Sequence, residues 1–260
     1  MNEAETRLAN EVAFHADVAS RERSLLRPTP ADQVARYRLC RRWRTRYPEC
    51  VIRFLTQGQP EHIGDFGCGS GEMACLLGLL GYRVTGIDVS PDLIELARSR
   101  AVLDGVADRV TFIQADGASD DLTTGKFDAV LAMSVMHHMP LSEALSAIER
   151  LLKPGGYVAI LEPVAYSSAL QWIRDRSFVK KEVTTDERQL SSEEIEAIRS
   201  RFEVVDLRHF YVAARLRRLV PNCSRNVLIP LLEWLDRGLL LLPGMHRFSG
   251  LVTMRARSRR

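Results

Sequence analysis

Apolar and polar positions change their rhythm twice along this chain. Up to about residue 57 the spacing is helical. ADQVARYRLCRRWRTRY sets apolar residues among basic ones, and Pro48 separates it from a second segment, ECVIRFLTQ. From His62 short apolar runs alternate with amphipathic stretches: HIGDF, EMACLLGLL, RVTGIDV, DLIELARSRAV, VTFIQA, FDAVLAM, LSEALSAIERLL and GYVAILEP. Strands alternating with helices predict right-handed βαβ units around a parallel sheet.

The punctuation agrees. Ser90-Pro91 offers an N-cap followed by proline in the first helical turn. Lys153-Pro154-Gly155-Gly156 ends a helix and turns into a strand. After Pro163 the rhythm is lost until Ser191–Glu194, a capping box ahead of IEAIRSRF. FEVVDLRHFYV and RFSGLVTMRARS read as the last two strands, an antiparallel pair. Between them NVLIPLLEWLDRGLLLLPG is more apolar than a solvent-facing helix should be.

Composition narrows the class. With 260 residues, 46% hydrophobic and 27% charged, the chain suits one decorated α/β domain. The net charge of +3 is too mild to argue for nucleic acid. Arginines cluster at Arg41, Arg42, Arg44 and Arg46, at Arg215, Arg217 and Arg218, and at Arg255, Arg257, Arg259 and Arg260. Solvated helix faces and a frayed tail are the first reading of these clusters, an acidic partner or membrane surface the second. The five cysteines form no C-x-x-C pair, which argues against a disulfide framework or zinc site and fits a reducing cytoplasm. The N-terminal segment lacks a signal-peptide core, and no apolar run reaches the length of a membrane span. No metal-ligand spacing and no S-x-x-K or G-x-S-x-G nucleophile motif is present.

The chemistry-bearing string is Asp65-Phe66-Gly67-Cys68-Gly69-Ser70-Gly71, where an apolar strand runs into a glycine-rich turn before a helix. Glycines there let a backbone approach a ligand closely. The next strand ends in Asp88, at the separation of about 20 residues expected of a carboxylate that accepts from ribose hydroxyls. Capping the following helix is a compatible role for it. VTFIQA runs into Asp116-Gly117. That carboxylate would accept from an exocyclic amine such as adenine's, or make an Asx-turn. His137-His138 follows the fourth strand, at the end of the sheet where open α/β folds bind ligands. An imidazole there would take a proton, or would merely pack at the strand–helix junction.

The order DFGCGSG, GIDVSPDLIELAR, FIQADG, FDAVLAMSVMHHM and LLKPGGYVAILEP resembles class I S-adenosylmethionine-dependent methyltransferases over residues about 60 to 163. The resemblance implies a Rossmann-like, seven-stranded, mostly parallel sheet with helices on both faces. A helical N-terminal lid (1–57) would precede the methyltransferase domain (58–260), with an apolar helical insertion at about 212–245, before the last strand. It implies S-adenosylmethionine as cofactor. Asp65, Gly67, Cys68, Gly69 and Gly71 would face its methionine part, Asp88 its ribose, Val89 and Asp116-Gly117 its adenine. Met133 and Ser134 would neighbour the sulfonium; Arg36 and Tyr37 are read first as part of an amphipathic surface helix and second as reaching in from the lid. His138, then His137, are the catalytic candidates. Glu162 and Tyr166 are the candidates to orient the substrate, Glu162 being equally well read as a strand-end carboxylate that caps a turn.

A dinucleotide is disfavoured, because Glu72 directly behind G-S-G would repel a pyrophosphate. The expected activity is methyl transfer to a small, apolar acceptor, first on oxygen, with nitrogen and carbon open. A nucleic-acid or protein methyltransferase is the rival, weakened by the lack of an N-P-P-Y-type string after the fourth strand. A non-catalytic cofactor-binding scaffold is the second. The apolar stretch from Leu216 to Gly244 is read as a pocket roof, a homodimer contact, a peripheral membrane contact beside Arg215–Arg218, or a core helix. His15, His209 and His246 are read as structural or surface residues.

Overall fold

In the computed structural model, residues 3–38, 47–116, 125–166, 189–214, 220 and 224–259 are described. Gly117 and the arginines at 41–46 and 215–218 lie outside them.

Three helices come first: α1 (Glu3–Leu25), α2 (Ala31–Arg38) and α3 (Tyr47–Thr56). Then β1 (His62–Phe66), α4 (Glu72–Leu79), β2 (Arg83–Asp88), α5 (Pro91–Leu103), β3 (Val110–Gln114) and β4 (Phe127–Met133) alternate as the sequence pattern predicts. A 3-10 turn (Met136–His138), α6 (Leu141–Leu151), β5 (Leu152–Pro163), α7 (Ser192–Arg201), β6 (Phe202–Phe210), α8 (Arg225–Leu239), a second 3-10 turn (Met245–Phe248) and β7 (Leu251–Ser258) complete the order. One sheet of seven strands results, in the order β3-β2-β1-β4-β5-β7-β6. β7 alone runs against its neighbours, β5 and β6. The Rossmann-like fold expected from the sequence is the fold observed.

Strand alternation divides the core between the two faces. Ala129 and Leu131 of β4 and Tyr157, Ala159 and Leu161 of β5 face the layer of α3, α4 and α5. Val130 and Ala132, with Val158 and Ile160, face α6 and α7. Residues two apart on a strand share a face, so each nearly continuous apolar run serves both layers. α6 presents Leu141, Ala144, Leu145, Ile148 and Leu151, the stripe a 3.6-residue period requires. Local signals set the helix starts: Ser90 accepts from the Leu93 N–H, and Ser191 and Glu194 close a full capping box.

The three N-terminal helices differ in role. Phe54 and Leu55 of α3 are fully buried in the main core, and the Tyr157 hydroxyl donates to the Leu55 carbonyl. α1 instead lies over the outer side of α5, with Ala19 against Leu93 and Leu96. The chain just past α1 is tied down by Thr29, whose N–H and hydroxyl both donate to Asp104 at 2.7 Å. α8 turns much of its apolar side outward. Val227, Leu231 and Trp234 are exposed, while Asp236 is buried and accepts from the Ala213 and Ala214 N–H groups.

Candidate active site

The turns at the carboxyl ends of β1, β2 and β4 surround a cavity of about 220 Å³. Gly67, Gly69, Asp88, Val89, Asp116, Ser134 and His138 line it among the residues expected from the sequence.

The glycine-rich turn is anchored from below, because the Gly67 and Cys68 N–H groups both donate to the Ile87 carbonyl, at 2.9 and 3.0 Å. Gly67 has φ +72°, and a Cβ there would stand 2.2 Å from Val135 Cγ2. Gly69 has φ +51° and open space where a Cβ would stand. Both conformations favour glycine, but only Gly69 leaves room directed at a ligand. Gly71, by contrast, lets α4 approach Ala97 and Phe112.

Asp88 closes β2. Its Oδ2 accepts from the Gly69 N–H at 2.8 Å and its Oδ1 from the Ser90 N–H at 3.0 Å. Each carboxylate oxygen has a second lone pair, so this anchoring leaves capacity for hydroxyl donors. The helix cap itself is Ser90. Asp65 lies deeper, 3% exposed, with the Ala74 N–H donating to it. Its Oδ2 has no hydrogen-bond partner. Burial, with the nearby Asp88 charge, pushes its carboxyl up to about 7. Cys68 is buried, and burial holds its thiol well above the ordinary range, so it is unreactive there.

The two histidines divide. His138 lines the cavity, while His137 is buried, with Nδ1 2.7 Å from Glu162 Oε2. Their rings lie 4.2 Å apart. Glu162 is fully buried, and its Oε1 accepts from both the Val135 and Met136 N–H groups at 2.8 Å. One carboxylate thus clamps the whole turn after β4. Ser134, at that turn's start, has φ +55° and donates its N–H to the Leu161 carbonyl at 2.8 Å.

Other expected residues lie elsewhere. Met133 packs toward the α3–α5 face, and Tyr37 packs against the same core. Neither they nor Arg36, which pairs with Asp32 at 4.0 Å, line the cavity. Tyr166 belongs to a second pocket. The lining residue outside every motif quoted from the sequence is His15 of α1, there read as structural or surface, whose ring centroid is 6.3 Å from that of His138. No local motif marks it. Only the packing of α1 on α5 carries it there.

Residues 64–160 match the methyltransferase domain family. With the strand order and the glycine-rich turn, that segment resembles the core of class I S-adenosylmethionine-dependent methyltransferases. Among curated relatives, the 27-O-demethylrifamycin SV methyltransferase of Amycolatopsis mediterranei is 34% identical over 118 residues, covering 45% of this chain and 43% of that protein. A ubiquinone biosynthesis O-methyltransferase of Xanthomonas oryzae pv. oryzae is 40% identical over 96 residues, covering 35% of this chain and 38% of that one. The chain therefore spans less than half the length of these relatives. A SAM-dependent methyltransferase structure from Methanosarcina mazei superposes with a TM-score of 0.56 at 21% identity, over 83% of this chain and 99% of that one.

The cofactor of this class is S-adenosylmethionine, and the residues present fit it. Gly69 leaves a gap that a Cβ would fill, Asp88 retains free lone pairs beside it, and Asp65 holds a buried oxygen with no partner. Acidic groups in this position suit a ligand that carries a sulfonium and no phosphate. Among the described residues no group of three His, Cys, Asp or Glu side chains is placed to hold a metal ion, and no helix is long and apolar enough to cross a membrane.

Proposed function

We propose that this protein transfers a methyl group from S-adenosylmethionine to a small, largely apolar acceptor, on a hydroxyl oxygen. The observation that carries the reading is the clamped turn after β4, which sets His138 at the wall of the cofactor cavity. When bound, the cofactor supplies an electrophilic methyl on a good leaving group. The protein's own work is binding, alignment and removal of one proton.

Asp88 holds the ribose, while the backbone at Gly67 and Gly69 lies along the methionine part. Val89 and Asp116 flank the adenine. His138 takes the acceptor's proton as its oxygen attacks. His137 is a positioning residue: with Nδ1–H donated to the Glu162 carboxylate, its ring is fixed against His138. His15 approaches from α1, so α1 would shield the reacting atoms from water.

The relatives' printed names, a rifamycin methyltransferase and a ubiquinone O-methyltransferase, support small hydroxylated acceptors with substantial apolar parts. The exposed apolar side of α8 supports a further contact, with a membrane surface or a second copy of the chain.

Calorimetric titration of S-adenosylmethionine into wild type and Asp88→Ala tests the cofactor half. Binding should weaken about tenfold to a hundredfold in the variant, the worth of hydrogen bonds to a charged group. Absence of binding by the folded wild type overturns the proposal. Methyl transfer to a panel of apolar phenols, compared with the matching anilines, tests the acceptor atom.

A further inference from the structure

On the same face of the sheet as Glu162, beyond β5, lies a second pocket of about 640 Å³. α7 contributes Arg199, the chain past β5 contributes Tyr166, β6 contributes His209, and the turn before β7 contributes His246 and Arg247. Ile195 and Leu207 supply apolar wall.

The polar groups form one network. Tyr166 Oη is 3.1 Å from His209 Nε2. Burial pushes the phenol up to about 12, so it stays protonated and donates to that nitrogen. The His209 ring is 5.4 Å from that of His246, which is also 6.3 Å from the Tyr166 ring. Burial, then His246 and Arg199, pull His209 down to about 4. Among the described residues its one lining carboxylate is Glu196, 3.7 Å from Arg199. Arg247 makes no ion pair among the described residues. Two guanidinium groups therefore face one carboxylate, over a floor of rings and aliphatic side chains.

We propose that this pocket binds the carboxylate of an apolar organic acid, held by Arg247 and Arg199 with its hydrocarbon part against Tyr166, Ile195 and Leu207. Planar guanidinium groups suit a carboxylate, and the apolar wall selects an organic ligand over a small inorganic anion. Resting on the methyl-transfer reading, the ligand is an acceptor that bears an acid group, which this pocket would hold.

The test uses the full chain with labelled histidine rings, titrated by NMR with sodium benzoate, benzyl alcohol and inorganic phosphate. Benzoate should shift the His209 and His246 signals saturably at about 1–10 mM, the affinity of a small fragment. The midpoint of His209 titration should rise as the bound anion offsets His246, Arg199 and Arg247, which face it together with Tyr166 and Glu196. Arg247→Ala should weaken benzoate about tenfold, with S-adenosylmethionine affinity unchanged. Equal response to benzyl alcohol overturns charge recognition, and equal response to phosphate overturns the organic acid. No response to any of the three overturns the site. The benzoate titration itself needs neither cofactor nor turnover, so a failure of methyl transfer and a failure of this site are told apart.

Discussion

Replacing Glu162 separates two things its carboxylate does: hold the turn after β4, and carry a buried charge. It is fully buried and accepts from the Val135 N–H, the Met136 N–H and His137 Nδ1, at 2.8, 2.8 and 2.7 Å. Glu162→Ala strands two backbone donors and one imidazole N–H. Each buried, unsatisfied group costs about 1–3 kcal/mol, so the loss for three is about 3–9 kcal/mol, toward the lower end because Val135 is only half-buried. Such a loss is a large part of the roughly 5–15 kcal/mol that stabilises a typical domain. Glu162→Gln keeps an oxygen for the two backbone donors and turns an amide N–H toward His137, which answers by presenting its other tautomer. Three charge-assisted bonds become neutral, a loss of about 1 kcal/mol each, but burying the residue no longer strips a charge of water, which recovers several kcal/mol. The net cost of Gln is therefore about 0–2 kcal/mol. Urea unfolding of the three proteins, with m-values checked for equality, gives the comparison. Equal destabilisation by Ala and Gln would show that charge and not donor satisfaction holds the turn. A cost for Ala below about 1 kcal/mol would show that water replaces the carboxylate, and the clamp would be refuted.

Other perturbations test the remaining parts. Asp65 titrates near 7 in the folded state against 3.8 in the reference state, so the folded protein binds more protons between those values and loses stability as pH rises through them. The slope approaches about 1.4 kcal/mol per pH unit at most, and Asp65→Asn should remove it. Identical pH dependence of the urea midpoint in both proteins would sink that account. Gly67→Ala should cost about 2–5 kcal/mol, combining left-handed backbone strain with the Val135 clash, whereas Gly69→Ala should cost about 1–2 kcal/mol and chiefly weaken S-adenosylmethionine binding. The reverse ranking in thermal unfolding and calorimetry would contradict these assignments. His138→Asn should lower kcat by about 10²–10⁴-fold with cofactor affinity nearly unchanged. A full retention of kcat would remove it as the base.

The turns that line the cavity were legible because their parts are contiguous in sequence. Phe66 to Gly71 forms one turn, Asp88 ends one strand, and the alternation of apolar runs fixes the ends on which both sit. His15 was not legible, since nothing around it in α1 differs from a surface helix, and its approach to His138 depends on Ala19 meeting Leu93 and Leu96. Glu162 was visible as a carboxylate ending a strand. Its grip on residues 135–137 was not, because that is a contact between neighbouring strand ends separated by 25 to 27 positions. The apolar content of α8 fitted several environments. Only the folded chain shows that Asp236 takes the inward place while Val227, Leu231 and Trp234 face out.

Gly67 and Val135 are in such close packing that neither can be redesigned alone. Anyone grafting loops to change the acceptor range inherits that seam. Residues 134–137 are bolted to Leu161, Glu162 and the cofactor turn and travel with the chassis.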